Sequence, residues 1–311
     1  MKNGVTLFDT SGNVLHAHGG HMLQQDGYFY WFGENRTGDI RVSCYRSKDL
    51  EEWEFRNHVL TYDSKAEWHY IWGDIELRKE RELPDGSKQM VGCNIERPKV
   101  LYNKLTNKYV MWMHYENGIN YEDAKCAVAV CDTIDGDYTY LGSFRPVGNM
   151  SRDCTVFIDD DCTAYFVSAA RDNADLIMYR LTEDYLGIDE QVKILWPGQY
   201  REAPVLFKRN NLYYMLTSAC SGWDPNQGKY AVCDSLTGRW SMLKLMGDET
   251  TYHSQPAFVL PLEKDGETKW IYVGDRWNGN QYHESTYVFY PLEFDKDGKL
   301  ELKCCEELKF E

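Results

Sequence analysis

The chain has 311 residues, 43% hydrophobic and 27% charged, ample for a large core. Its 49 acidic and 34 basic side chains leave a formal charge of −15, a surface that repels phosphate backbones, so no nucleic-acid partner is expected. No apolar run is long enough to span a bilayer and residues 1–6 hold no apolar signal core; no membrane partner is expected, and the location is expected to be cytoplasmic, or secreted if a leader has been removed.

Short aromatic runs alternate with turn signals from one end of the chain to the other, and helical periodicity is almost absent. This is an all-β pattern. An aromatic strand recurs at Tyr28 to Gly33, Lys108 to Met113, Thr163 to Val167, Leu212 to Leu216 and Lys269 to Val273. Each is followed by a further strand and an acidic turn, such as Ser47-Lys48-Asp49-Leu50 or Cys233-Asp234-Ser235-Leu236. Five such units of roughly four strands predict a five-bladed β-propeller, where a sandwich would not repeat the pattern. The charged stretch 62–88, with Trp68 and Trp72, reads as an insertion in the first unit. No Pro-, Gly- or Ser-rich linker divides residues 1–311, so one domain with no appended carbohydrate-binding module is expected.

Ten cysteines form no Cys-x-x-Cys pair and no zinc-spaced Cys/His cluster. Cys44, Cys126, Cys131, Cys154, Cys220 and Cys233 lie in apolar or strand-like runs and read as buried, reduced thiols.

Three segments carry the chemistry: Ile95-Glu96-Arg97-Pro98, Arg201-Glu202-Ala203-Pro204 and Ser254-Gln255-Pro256. Each places a carboxylate or its amide just before a proline and a strand. With Asp153, they fall on or just before the innermost strands of blades two to five, which converge on the propeller axis. A single Glu-x-Pro is a weak signal, and an isolated glutamate at a strand start is more often solvated or salt-bridged. Recurrence at blade spacing reverses that balance. Glycoside hydrolysis needs two carboxyl groups about 6.5–9.5 Å apart for inversion, one held protonated by a neighbouring charge. Glu202 and Glu96 are candidates for the acid and its modulator.

The stretches Tyr30-Trp31-Phe32-Gly33-Glu34, Glu96-Arg97-Pro98-Lys99-Val100, Ser151-Arg152-Asp153, Arg201-Glu202-Ala203-Pro204, Thr217 to Trp223 and Gly274-Asp275-Arg276-Trp277 resemble glycoside hydrolase family 43, and within it the exo-β-1,3-galactanase branch. The resemblance covers about His16 to Phe294. It implies an inverting, exo-acting enzyme that releases galactose from β-1,3-galactan, galacto-oligosaccharides or arabinogalactan side chains. It implies Glu202 as general acid, Glu96 as the group that tunes the acid and orients substrate, and Gln255 where the attacking water would be. Glu34, Tyr121, Asp153 and Trp223 fall on galactose-contacting positions. Most of the family has a blade-one aspartate base, but this chain has His16-Ala17-His18-Gly19-Gly20-His21 there, as the branch does. Gln255 could act through its imidic tautomer or only position a water. His18 or His21 could be the base, or could bind substrate or backbone. No metal is expected to be required, neither at the histidines nor at the Asp159-Asp160-Asp161 turn, and a structural calcium is not expected. The competing readings are an α-L-arabinofuranosidase or β-xylosidase, which the missing aspartate disfavours, and a non-catalytic sugar-binding propeller.

Overall fold

The computed structural model describes residues 1–69, 75–264 and 266–310. Five four-stranded antiparallel sheets follow one another along the chain. Blade one is β1 (His18–Gln25), β2 (Tyr28–Asn35), β3 (Arg41–Ser47) and β4 (Glu54–Leu60). A separate hairpin, β5 (Arg78–Glu82) and β6 (Lys88–Gly92), precedes blade two. Blade two is β7 (Asn94–Asn103), β8 (Lys108–Glu116), β9 (Lys125–Cys131) and β10 (Thr139–Phe144). Blade three is β11 (Cys154–Ile158), β12 (Ala164–Ala170), β13 (Asp175–Leu181) and β14 (Ile188–Leu195). Blade four is β15 (Arg201–Arg209), β16 (Leu212–Ala219), β17 (Gly228–Cys233) and β18 (Lys244–Met246). Blade five is β19 (Gln255–Lys264), β20 (Glu267–Arg276), β21 (Thr286–Phe294) and β22 (Leu300–Leu302). First strands meet in a ring, β1 against β7, β7 against β11, β11 against β15, β15 against β19 and β19 against β1.

The aromatic strand, which leads each repeat as read from the sequence, is the second strand of its blade. It is buried on both faces because each blade is sandwiched between two others: Tyr30, Trp31 and Phe32 in β2, and Met111, Trp112 and Met113 in β8, are all buried. That explains a continuous apolar run where a one-sided sheet would alternate. The apolar clusters lie between blades rather than within them. Tyr30, Phe32, Tyr109 and Met111 join blades one and two, and Trp31 and Trp53 join blade one to Phe258 and Phe289 of blade five. The residues before β1 close the ring: Met1 N donates to Leu308 O (2.6 Å), Gly4 N to Tyr287 O (2.9 Å) and Ala17 N to the Tyr287 hydroxyl (2.7 Å).

The insertion expected at 62–88 is the β5–β6 hairpin with its flanks, and its second strand runs on to Gly92. Trp68 is 61% exposed, and Trp72 lies outside the described residues. All ten cysteines are free thiols; Cys44, Cys126, Cys154 and Cys233 are buried as expected, and Cys131 partly so. Cys220 is exposed, contrary to expectation, because it lies just past the end of β16, where the chain leaves the core.

Four of the five innermost strands carry one extra residue relative to the second strand. Glu96 pairs with His114 but Lys99 with Trp112, and Glu202 pairs with Ser218 but Val205 with Leu216. β1 slips in the same way between His18 and His21, and β19 between Pro256 and Phe258. These are β-bulges, which bend the strand and re-aim the side chain beside them. Gly19 (φ 57°), Arg97 (φ 52°) and Ala203 (φ 48°) take the left-handed conformation there. For Arg97 and Ala203 that costs on the order of 1–2 kcal/mol each. Pro98 and Pro204 follow at once; a residue without an N–H loses nothing where the ladder skips. The recurring Glu-x-Pro of the sequence is therefore a bulge motif that turns Glu96 and Glu202 towards the axis.

Candidate active site

A pocket of about 390 Å³ opens where β7, β15 and β19 begin, at one end of the axis. Glu34, Glu96, Tyr121, Asp153, Glu202, Trp223 and Gln255 all line it, so seven of the eight side chains expected at the site are brought together. Larger grooves, about 700 and 1120 Å³, lie at the far ends of the strands and gather no comparable set of converging carboxylates.

Glu202 stands on β15 just before the bulge residue Ala203. Its Oε1 accepts from Gln255 Nε2 (3.0 Å) and its Oε2 from Asn173 Nδ2 (3.3 Å). Burial first, then the charge of Asp153, push its carboxyl up to about 7, against the pull of Arg97. Such a group keeps its proton near neutral pH and can give it to a leaving oxygen.

After burial, the charge that raises Glu202 most is that of Asp153. Asp153 Oδ2 accepts from Ala203 N (3.1 Å) and faces Arg97 Nε (3.2 Å), which fixes it beside the acid. Glu96 is held elsewhere. Its Oε1 accepts from Tyr121 Oη (2.5 Å) and Arg36 Nη2 (2.7 Å), and its Oε2 lies 3.1 Å from His114 Nδ1. Burial opposes its charge, but Arg36 and His114 hold it well below the usual carboxylate range. Asp153, expected among the sugar contacts, is thus the carboxylate set beside the acid, and Glu96, expected in that place, is a fixed anion facing the pocket. The reason is directional, since Asp153 precedes an unbulged strand and its carboxylate reaches across to the backbone of blade four.

His114 is itself buried. Burial works against its charge, but Glu116 and Glu96 on either side push it up to about 9, so it is an imidazolium at neutral pH. Glu34 sits in the second strand of blade one and accepts a fork from Arg36 Nε and Nη2 (2.8 and 2.7 Å). Burial raises it to about 7 with help from Glu96, against Arg36. Gly19 makes room for it, as a Cβ there would lie 3.0 Å from Glu34 Oε1.

Gln255 has every hydrogen-bonding position filled. Oε1 accepts from Trp277 Nε1 (2.7 Å) and from Arg97, and Nε2 donates to Glu202 and to Ser218 Oγ (2.9 Å). Arg97 and Trp277 are donors only, which fixes the orientation of the amide. The same two donors favour the amide tautomer, because an imidic O–H would point at N–H groups.

His18 is not among the residues lining the pocket. Its Nδ1 lies 3.0 Å from Asp275 Oδ1, and its ring is stacked on Tyr287 (4.5 Å) and edge-on to Tyr282 (5.1 Å). Fully buried, it packs against the rings of Trp277 and Tyr282. Burial lowers its neighbour His21 to about 3, a poor match for a base at neutral pH.

Arg36 and Asn173 line the pocket and were not singled out from the sequence; Cys220 and Trp277, given no site role there, line it too. The Cys220 thiol, raised to about 12 by burial and by Glu202, stays protonated beside the acid. For a metal, Glu96, His114 and Asp153 bring ligand atoms within 4.8 Å of one another. They fit one poorly, since His114 is protonated and Arg36 and Arg97 already supply the countercharge. The Asp159-Asp160 turn is paired with Lys208 Nζ at 2.8 Å for both carboxylates.

One expected result tests which of the two carboxylates tunes the acid. Removing the negative charge in Asp153→Asn makes ionised Glu202 easier to form, so the acid loses its proton at a lower pH. The alkaline arm of the kcat/KM–pH profile should move down from about 7. An arm that stays in place in Asp153→Asn and moves instead in Glu96→Gln would return the tuning role to Glu96.

The family model of Glycosyl hydrolases family 43 matches residues 101–300. An exo-β-1,3-galactanase from Clostridium thermocellum is 47% identical, with a TM-score of 0.86 over 97% of this chain and 64% of that one. A family-43 β-1,3-galactosidase solved with galactodeoxynojirimycin is 30% identical, with a TM-score of 0.84 over the full length of both chains. An exo-β-1,3-galactanase from Phanerochaete chrysosporium, solved with galactose, is 35% identical, with a TM-score of 0.83 over 97% of this chain and 66% of that one. The chain thus spans about two thirds of the length of the two galactanases. No curated protein matches it.

Proposed function

The chain belongs to glycosyl hydrolases family 43, and from that premise we propose that it is an inverting, exo-acting β-1,3-galactosidase that removes galactose from β-1,3-galactan or its oligosaccharides. The observation that carries the reading is the pairing of a proton-holding Glu202 with a fixed Asp153 in an axial pocket that also presents Glu34, Glu96 and Trp223.

Glu202 gives its proton to the glycosidic oxygen as the bond to the anomeric carbon breaks. Asp153 keeps that proton available up to about neutral pH. Glu96, ionised and bonded to Arg36 and Tyr121, and Glu34, forked by Arg36, accept bonds from sugar hydroxyls. Trp223, 41% exposed, offers its face to the apolar side of the ring. Gln255 orients the water, whose oxygen bonds the anomeric carbon on the face opposite the leaving oxygen while its excess proton passes to solvent water. Of its four partners, the neutral Ser218 hydroxyl is the one a water replaces in kind, leaving the bonds to Arg97, Trp277 and Glu202 in place. Galacto-oligosaccharides and the galactan backbone of arabinogalactan are the proposed substrates.

Incubation with β-1,3-galactobiose tests this. Free galactose should appear, first as the α-anomer by NMR, because inversion at a β-linkage gives α. Binding without release would make the chain a sugar-binding propeller. Release from arabinofuranosides or xylosides alone would move it to another activity of the family.

A further inference from the structure

Glu116 ends β8 with its side chain fully buried, does not line the pocket and takes no part in the chemistry above. Its two oxygens serve two different groups. Oε1 lies 2.9 Å from His114 Nε2, and Oε2 accepts from Ala124 N (2.9 Å). Arg152 Nε stands 3.9 Å from Oε1.

Both contacts lead to Glu96. The other nitrogen of His114, Nδ1, lies 3.1 Å from Glu96 Oε2. The imidazole is one rigid ring, so its place against Glu96 is set from Glu116. The bond to Ala124 N closes the loop 117–124, whose Tyr121 Oη donates to Glu96 Oε1 (2.5 Å). Ala124 is buried and left-handed (φ 42°), a conformation that a residue with a Cβ keeps only where its surroundings fix it. Arg152 Nη2 donates to the Tyr121 carbonyl (2.9 Å). The β5–β6 hairpin backs the same loop: a Cβ on Gly118 would lie 1.9 Å from Gly92 O. A carboxylate offers about four acceptor sites. Tyr121 and Arg36 take both sites on Glu96 Oε1, and His114 faces one on Oε2. The site left for a sugar hydroxyl is therefore on Oε2, and its direction follows the position of His114.

We propose that Glu116 is a positioning residue for sugar recognition: through His114 and through the Tyr121 loop it fixes both oxygens of Glu96, and it touches no ligand itself. The proposal rests on the hydrolase reading of the pocket, in which Glu96 is a sugar contact. A carboxylate is needed at 116 because both of its partners are donors. A glutamine has one acceptor oxygen, and its NH2 would face either the imidazolium or the Ala124 N–H.

A double-substitution cycle tests this. Calorimetry with β-1,3-galactotriose compares Glu202→Gln alone with the same protein carrying Glu116→Gln, Glu96→Gln or both. Glu116→Gln should weaken binding about tenfold, the low end for a hydrogen bond to a charged group. With Glu96→Gln already in place, the same change should matter by less than about twofold, since a residue that acts through Glu96 then has nothing left to position. On the active protein, Glu116→Gln should raise KM for β-1,3-galactobiose about tenfold and leave kcat within about threefold. An equal loss with and without Glu96→Gln puts the effect of Glu116 outside Glu96 and overturns the proposal. So does unchanged binding in Glu116→Gln, or a fall in kcat at constant KM. If Glu116→Gln does not fold, His114→Gln decides. Its NH2 sits where Nε2 does, so it serves Glu116 and withdraws the donor from Glu96 Oε2; the same loss should appear and Glu96→Gln should again erase it. If folded Glu202→Gln binds no galactotriose, the hydrolase reading is what fails, and the proposal falls with it.

Discussion

Glu202→Gln should lose about 10²–10⁴ of kcat on β-1,3-galactobiose, the range for a missing general acid. Glutamine keeps the shape and can still meet Gln255 and Asn173, so binding of galactotriose should change little. Two further features distinguish an acid from a residue that only shapes the pocket. The loss should shrink sharply for an aryl galactoside whose leaving group needs no proton. The alkaline arm near pH 7 should disappear, because the group whose ionisation ends activity is gone. A variant that slows both substrates equally, or that keeps the arm, assigns the acid elsewhere.

Arg97→Met should be the most destabilising single change in the site. Arg97 is 4% exposed and ties three blades together. It faces Asp153 (3.2 Å), donates to Pro256 O (3.0 Å) and donates to Gln255 Oε1. Truncating one partner of a buried ion pair costs about 3–5 kcal/mol, because the other charge stays buried and alone. For a chain of this size that lowers the thermal midpoint on the order of 10 °C. The variant also carries a signature in pH. Arg97 pulls the Glu202 carboxyl down, so without it the acid holds its proton to higher pH and the alkaline arm should move up. That is opposite in sign to Asp153→Asn. A midpoint within about 2 °C of the parent would mean that Arg97 does not link the blades.

Much of this architecture is readable from residues alone, for identifiable reasons. The second strands announce themselves because a blade packed on both faces needs an unbroken aromatic run, as in Tyr28 to Gly33. Glu96 and Glu202 are legible because a left-handed bulge residue followed by proline leaves a local trace in the chain. What stays hidden is whatever depends on direction or on a distant partner. Nothing near His18 says that its ring will be boxed by Asp275, Tyr282 and Tyr287, more than 250 positions away. Arg36 sits in an ordinary polar turn, and its place between two carboxylates and two aromatic rings arises only when blades one, two, four and five meet. That Asp153 and not Glu96 lies beside Glu202 turns on which way each side chain leaves its strand, a property of the bulge and not of the residue type.

The closure of the ring has a consequence for how the chain reaches this state. Four of the five interblade clusters join segments adjacent in sequence, but the fifth sets Leu15, Trp31 and Trp53 against Phe258 and Phe289. Its hydrogen bonds span up to 307 residues, as between Met1 and Leu308. The entropy of bringing chain ends together falls on this one seam, and contacts of such separation form slowly. Blades one to five should therefore stack as an open arc before the seam forms, and the seam should be the first place to part. In native-state hydrogen exchange the Ala17 and Gly4 amides, both bonded to Tyr287, should open at lower free energy than the Trp112 and Val128 amides in the ladder between β8 and β9. Equal protection at all four would mean that the ring opens only by unfolding as a whole.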